Sequence, residues 1–296
     1  MKTAFLKRAL PVLAITLILT SLGVFSLSCA DDQTETTKLT VAVTILPQAS
    51  FVKAVGGDKV ETVVMVPPGA DPHTYEVTPR QMTQLADAQI YAKVGSPIEF
   101  ELAWLDKLLA VNQDMLVVDC SEGLGLIESQ DPDEPGMDPH IWLSVRNAKV
   151  MVQNICDGLI QIDPDNRDYY EANCSAYLDQ LTELDTDISQ SLSGVENRSF
   201  IVFHPAFGYF ARDYNLTQIG VEQEGKEPNA DYLIRLIEEA KANNIHVIFI
   251  SPEFNTKSAE VIADEIDGQV VIIDPLAEDY ISNMLNIAAA LKAAMH

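Results

Sequence analysis

Basic residues are scarce in this 296-residue chain: 19 Lys and Arg stand against 44 Asp and Glu, a formal charge of −25. Such a surface repels phosphate backbones, which argues against nucleic acid as a partner and leaves a cation as the easier guest. Cysteine is sparser still. Cys29, Cys120, Cys156 and Cys174 form no C-x-x-C pair, so a thiolate zinc finger and a disulfide-dense mini-fold are both disfavoured. The glycines build no phosphate cradle, because Gly56-Gly57 and Gly123-x-Gly125 fit neither a P-loop nor G-x-G-x-x-G. The helix-borne zinc motif H-E-x-x-H is absent too. Beyond the first thirty residues no apolar run is long enough to span a bilayer as a helix. What the chain does have is core material. Apolar residues make up 47%, which excludes a mainly disordered chain, and the length suits two ordinary domains.

The start of the chain reads as an address. Lys2, Lys7 and Arg8 form a basic head, and an uncharged, mostly apolar stretch follows, the layout of a secretory signal over residues 1–28. Cys29 follows Phe25-Ser26-Leu27-Ser28 and resembles the lipobox cysteine of lipoproteins, although Ser26 stands where an aliphatic residue is usual. A lipid anchor on Cys29 is the expectation, with a plain cleavage site as the alternative. Residues 29–38 are polar and aperiodic, a tether. The chain is therefore expected outside the cytoplasm, periplasmic or at the cell surface, and membrane-anchored.

Strand and helix signals alternate through the body. Short β-branched runs at 39–46, 59–66, 89–94 and 115–119 are separated by helical patterns such as 79–86 and 101–110. The second half repeats the style, with strands at 200–203, 218–221, 246–250 and 269–273 and helices at 229–243, 257–266 and 280–294. This alternation implies α/β lobes with mainly parallel sheets flanked by helices. Between them, Tyr170, Cys174, Tyr177, Leu181, Leu184, Ile188 and Leu192 form one apolar stripe, predicting a single helix over 165–193. Pro164 presets its start and Gly194 its stop. Packed along both lobes, such a rod fixes their separation; a coiled-coil partner is the alternative. The expected organisation is 1–28 signal, 29–38 tether, 39–164 N-terminal lobe, 165–193 linking helix and 194–296 C-terminal lobe. Cys156 and Cys174 fall on predicted helices either side of Pro164, where they either pair in an oxidising compartment or stay as buried thiols.

Only five histidines exist. His73 sits in Asp71-Pro72-His73, His140 in Asp138-Pro139-His140, and His204 directly after the strand ending at Phe203 and before Pro205. Asp274 likewise ends a strand and precedes Pro275. Ligands of open α/β sheets sit beyond the carboxyl ends of strands, and the prolines stiffen each backbone. Three imidazoles and one carboxylate complete a tetrahedral shell for Zn²⁺. Taken singly, each of these side chains reads as a hydrogen-bonded loop residue, and Asp274 as a turn or helix cap. His246 and His296 keep that plain reading. Asp71, Asp138 and Glu76 are the neighbours in sequence available to orient the imidazoles.

The motifs PPGADPHTYEVTPRQ (67–81), MDPHIWLS (137–144), FHPAFGYFARDY (203–214), EGKEPN (224–229) and IDPLAEDY (273–280) resemble those of the zinc/manganese solute-binding proteins of ABC transporters, the cluster 9, TroA-like and ZnuA-like metal-binding lipoproteins. The resemblance runs from about Leu39 to the C-terminus. It implies two α/β lobes on one backbone helix, with a metal in the cleft on His73, His140, His204 and Asp274. It also implies delivery of the ion to a membrane permease by a monomer that is not an enzyme. Manganese-favouring members often carry glutamate at the third histidine, so His204 points to zinc, with manganese as the alternative. The His-rich loop of many zinc members is missing; the acidic stretch 128–138 stands in its place. Two other readings remain at this point, a mononuclear zinc hydrolase and a surface adhesin.

Overall fold

The computed structural model describes residues 38–129, 136–222 and 228–295. The expected signal, Cys29 and its lipid, most of the tether, the middle of the acidic stretch, much of EGKEPN and His296 lie outside them. The described residues form one compact unit.

Two four-stranded sheets, parallel throughout, carry the described chain. The first holds β1 (Leu39–Val43), β2 (Val60–Val64), β3 (Ile90–Lys93) and β4 (Leu116–Asp119) in the order β2-β1-β3-β4. The second holds β5 (Ser199–Val202), β6 (Thr217–Gly220), β7 (Val247–Ile250) and β8 (Gln269–Ile272) in the order β6-β5-β7-β8. The two orders are the same pattern repeated. In each, the chain steps from its first strand to one side and then crosses to the other, which opens a crevice at the carboxyl end of that first strand. β1, β3, β5 and β7 are central and nearly all buried, as expected of strands covered on both faces.

The helices follow from capping and periodicity. α1 (Leu46–Gly56) begins at a proline in its first turn, and α2 (Pro79–Ala86) is opened by Thr78, whose hydroxyl accepts the Gln81 N–H. α3 (Glu99–Val111), α4 (Val145–Ile162) and α5 (Arg167–Leu192) complete the first half and the rod. α6 (Gly208–Tyr214), α7 (Ala230–Ala242), α8 (Lys257–Glu265) and α9 (Tyr280–Ala294) follow, α7 and α9 capped by Asn229 and Asp279. The sequence pattern ran the first strand on to residue 46, but the structure turns at Thr44-Ile45 and enters α1. α1 is buried on several sides, so it lacks the one-sided periodicity that would have announced it.

α5 has 26 residues and spans about 39 Å at about 1.5 Å per residue. All seven residues of its apolar stripe are buried. It packs against α1, α4 and α9, so its stripe is consumed within the chain. The lobes are tied across the cleft as well. Trp142 donates its indole N–H to the Pro275 carbonyl at 2.8 Å, Tyr280 donates to the Trp142 carbonyl at 2.8 Å, and Tyr209 donates to the Asp138 carbonyl at 2.9 Å. Ser144 also bonds Asp213. No helix among the described residues is long and apolar enough to cross a membrane.

Candidate metal centre

His73 is delivered by the loop after β2. Gly69, at φ 74°, makes the turn that follows Pro67-Pro68, and Asp71 Oδ1 accepts the His73 backbone N–H at 2.9 Å. His140 comes from the loop before α4 and enters a short 3₁₀ turn at Ile141–Leu143. Asp138 Oδ1 accepts its backbone N–H at 2.8 Å. The two Asp-Pro-His triplets thus work alike: the aspartate two residues back fixes the histidine backbone. His204 follows β5, the first strand of its sheet, at the crevice that the strand order opens.

The three rings converge. His204 Nε2 lies 3.2 Å from His73 Nε2 and 3.2 Å from His140 Nε2. One nitrogen from each ring belongs to a set in which all members lie within 4.8 Å of one another. Tetrahedral zinc with Zn–N bonds of about 2.0–2.1 Å requires nitrogens about 3.3 Å apart. The observed edges match that spacing.

The opposite nitrogen of every ring faces a carboxylate. His73 Nδ1 is 2.9 Å from Glu99 Oε2, His140 Nδ1 is 2.9 Å from Asp138 Oδ1, and His204 Nδ1 is 3.0 Å from Glu222 Oε2. An ionised carboxylate only accepts, so Asp138 and Glu222 favour the His140 and His204 tautomers with the proton on Nδ1 and a lone pair on Nε2, while Glu99 stands within ion-pair distance of His73 Nδ1. Burial would raise the Glu99 carboxyl, but its contact with His73 prevails and holds it below the usual range. Burial depresses the His204 imidazole, against the opposing pull of Glu222, and so favours the neutral ring that a metal needs.

The walls are aromatic and acidic. Trp142 meets the His140 ring edge-on, and Phe254 stacks on His204. Asp71, Glu253 and Ser251 line the same cavity. Burial pushes the Glu253 carboxyl up, and the charges of Asp274 and Asp71 add to it. Asp274 follows β8 as expected, but it is not in the set of mutually close donors formed by the three histidines. Its Oδ1 accepts the Leu276 N–H at 2.7 Å, and it lines an adjoining cavity together with Glu253 and Gly69. His246 contacts the Ile266 carbonyl and Asn244, away from the trio.

Of the nearby acids, Asp138 orients an imidazole, whereas Asp71 holds backbone. Sequence reasoning missed Glu99 and Glu222. Glu222 had a signal, since it follows β6 at the carboxyl end of a strand. Glu99, in the first turn of α3, had none.

Two parallel α/β lobes with imidazoles meeting between them are the architecture of a metal-binding solute-binding protein. The family described as "ZnuA: Zinc-uptake complex component A periplasmic" matches residues 41–294. The chain belongs to this family. It is 30% identical over 252 residues to the high-affinity zinc uptake system protein ZnuA of Bacillus subtilis (strain 168), covering 81% of this chain and 79% of that protein. A crystal structure of ZnuA is similar at 43% identity and TM-score 0.84, covering 88% of this chain and 100% of that one. A zinc-bound ZnuA deletion mutant is similar at 43% identity and TM-score 0.83, covering 87% and 98%.

Proposed function

We propose that this chain captures a divalent metal, zinc before manganese, outside the cytoplasm and hands it to the permease of an ABC importer. The observation that carries the reading is the meeting of three Nε2 atoms, each backed by a carboxylate on Nδ1. His73, His140 and His204 are assigned as ligands. Three imidazoles favour zinc over manganese in the usual affinity order. The fourth place is assigned to Asp274, reached by a small approach of its loop or side chain as the ion arrives. Its charge, with those of Asp71 and Glu253 nearby, offsets the buried dication.

The role is capture and release, not turnover. The carboxylates beside the rings are engaged in holding imidazoles, which leaves them unsuited to activating a water. The acidic cleft draws in cations, and loss of protein–metal bonds on docking to a permease would free the ion. The chain acts as a monomer held at the membrane by a lipid on Cys29. Its organisation is a signal over 1–28, a tether over 29–38, lobes over 39–164 and 194–296, and the linking helix over 165–193.

Titration of metal-free protein with Zn²⁺ and Mn²⁺ against a chromophoric chelator tests the reading. One tight zinc site that manganese displaces poorly is the expected result. Hydrolysis of ester or amide substrates that depends on added zinc would contradict it.

A further inference from the structure

Two of the buried thiols have no part in the metal centre and face each other. Cys156 lies on α4 and Cys174 on α5, successive helices joined by the turn at Pro164–Asn166 and packed side by side. Cys156 Sγ sits 3.7 Å from the Tyr170 carbonyl oxygen, one turn before Cys174 on α5. Reciprocally, Cys174 Sγ sits 3.9 Å from Gln153 Oε1, one turn before Cys156 on α4. Each sulfur thus reaches the turn of the facing helix that adjoins the other cysteine, and the two thiols are hydrogen-bonding neighbours. They are 1% and 3% exposed, so packing holds them together and excludes other partners. Cys120, at the end of β4, is apart from them and accepts a contact from Gln48.

We propose that Cys156 and Cys174 form an intramolecular disulfide when the chain folds in an oxidising compartment, tying the long helix α5 to α4. The inference rests on the extracytoplasmic location given above, where disulfides form and persist. The oxidant is a disulfide, carried by a thiol oxidoreductase or a small thiol. The thiolate of either cysteine opens the oxidant's S–S bond and expels one thiolate. The other cysteine then attacks the mixed disulfide and expels the second. The two cysteines lose two protons and two electrons, and the oxidant becomes two thiols. Exchange takes place before the helices close, since both sulfurs are buried afterwards. The bridge shortens the unfolded chain's freedom around Pro164 and locks α4 to the rod.

The test refolds the reduced full-length chain in a mixture of glutathione and glutathione disulfide, then quenches with acid, alkylates in denaturant and digests with trypsin without reduction. Cleavage after Lys149, Arg167 and Arg198 places Cys156 in peptide 150–167 and Cys174 in peptide 168–198. The expected result is one species with the summed mass less two hydrogens, which reductant separates, and a Tm that falls by about 5–10 °C on reduction. The Cys156→Ser/Cys174→Ser chain should melt at a temperature that reductant does not change. Both peptides alkylated singly, or either cysteine joined to Cys120 or to glutathione, would overturn the proposal. The outcome depends neither on metal nor on the cell's own compartment, so its failure and failure of the metal reading are separate events.

Discussion

The Nε2 atoms of His73 and His204 lie 3.2 Å apart although 131 residues separate them in the chain. Glu99 and Glu222 stand beside the opposite nitrogens. The facing nitrogens, with that of His140, are spaced for one shared proton or cation. Three proline-flanked loops and the interlobe hydrogen bonds hold the rings in place.

On the proposed ligand set, removing a ring removes a ligand. His140→Ala or His204→Ala should weaken zinc binding by more than about 100-fold, a larger loss than a supporting group gives. Circular dichroism of the metal-free variants should match that of the parent. Unchanged affinity in chelator competition would strike that histidine from the site.

The carboxylates behind the rings should matter less, but measurably. Glu222→Gln and Glu99→Gln are expected to cost about 10–100-fold in zinc affinity, because the ring loses its orientation and part of its basicity. Glu76→Gln is expected to leave affinity as it was. Equal effects from all three would mean that general negative charge, not contact with Nδ1, is what counts.

Gly208 makes the Asp138 contact possible. A Cβ there would stand 2.3 Å from Asp138 Oδ2, and Asp138 holds His140. Gly208→Ala should therefore displace Asp138 and weaken zinc binding, although Gly208 supplies no ligand atom itself. Calorimetry that finds parental affinity in this variant would show that Asp138 can move without consequence.

Trp142 ties the His140 loop to the Asp274 loop through the Pro275 carbonyl. Trp142→Phe keeps an aromatic wall but leaves that buried carbonyl without its donor, at a cost of about 1–3 kcal/mol. Urea unfolding of the metal-free chain should report that loss, together with faster zinc release in stopped flow.

Acid should act on the metal-free protein through His204. Its folded pKa lies below its unfolded value, because burial disfavours the charged ring. The unfolded chain therefore takes up the proton first as pH drops. Stability is full above the unfolded imidazole range, about 6.5, and is lost as pH falls toward the lower folded value. Zinc affinity falls as pH drops through the lower folded value, since proton and metal compete for Nε2. In thermal melts from pH 8 downward, His204→Gln should show a shallower decline than the parent. Parallel declines would remove His204 as the cause.

The sequence made the parallel α/β plan legible because its strands are short β-branched runs, and several of its helices, α2, α4, α7 and α9, open at a capping side chain. The 79–86 and 280–294 patterns coincide with α2 and α9, which open at Thr78 and Asp279. α1 escaped because it is buried on several sides, and α6 because seven residues barely complete two turns. In the site, the histidines were legible from the repeated Asp-Pro-His triplets and the strand-end rule. Glu99 was not, since α3 brings it to His73 only through tertiary packing. Asp274 stands at a strand end as its sequence suggests, yet strand-end position alone does not fix where a carboxylate points.

Zinc X-ray absorption on the loaded, full-length chain reads the ligand shell itself. About three imidazole nitrogens at about 2.0–2.1 Å plus one oxygen are expected, with the imidazole scattering reduced by one ring in each single histidine variant. A spectrum dominated by oxygen, or one that stays the same when His73, His140 and His204 are all replaced by alanine, would contradict it.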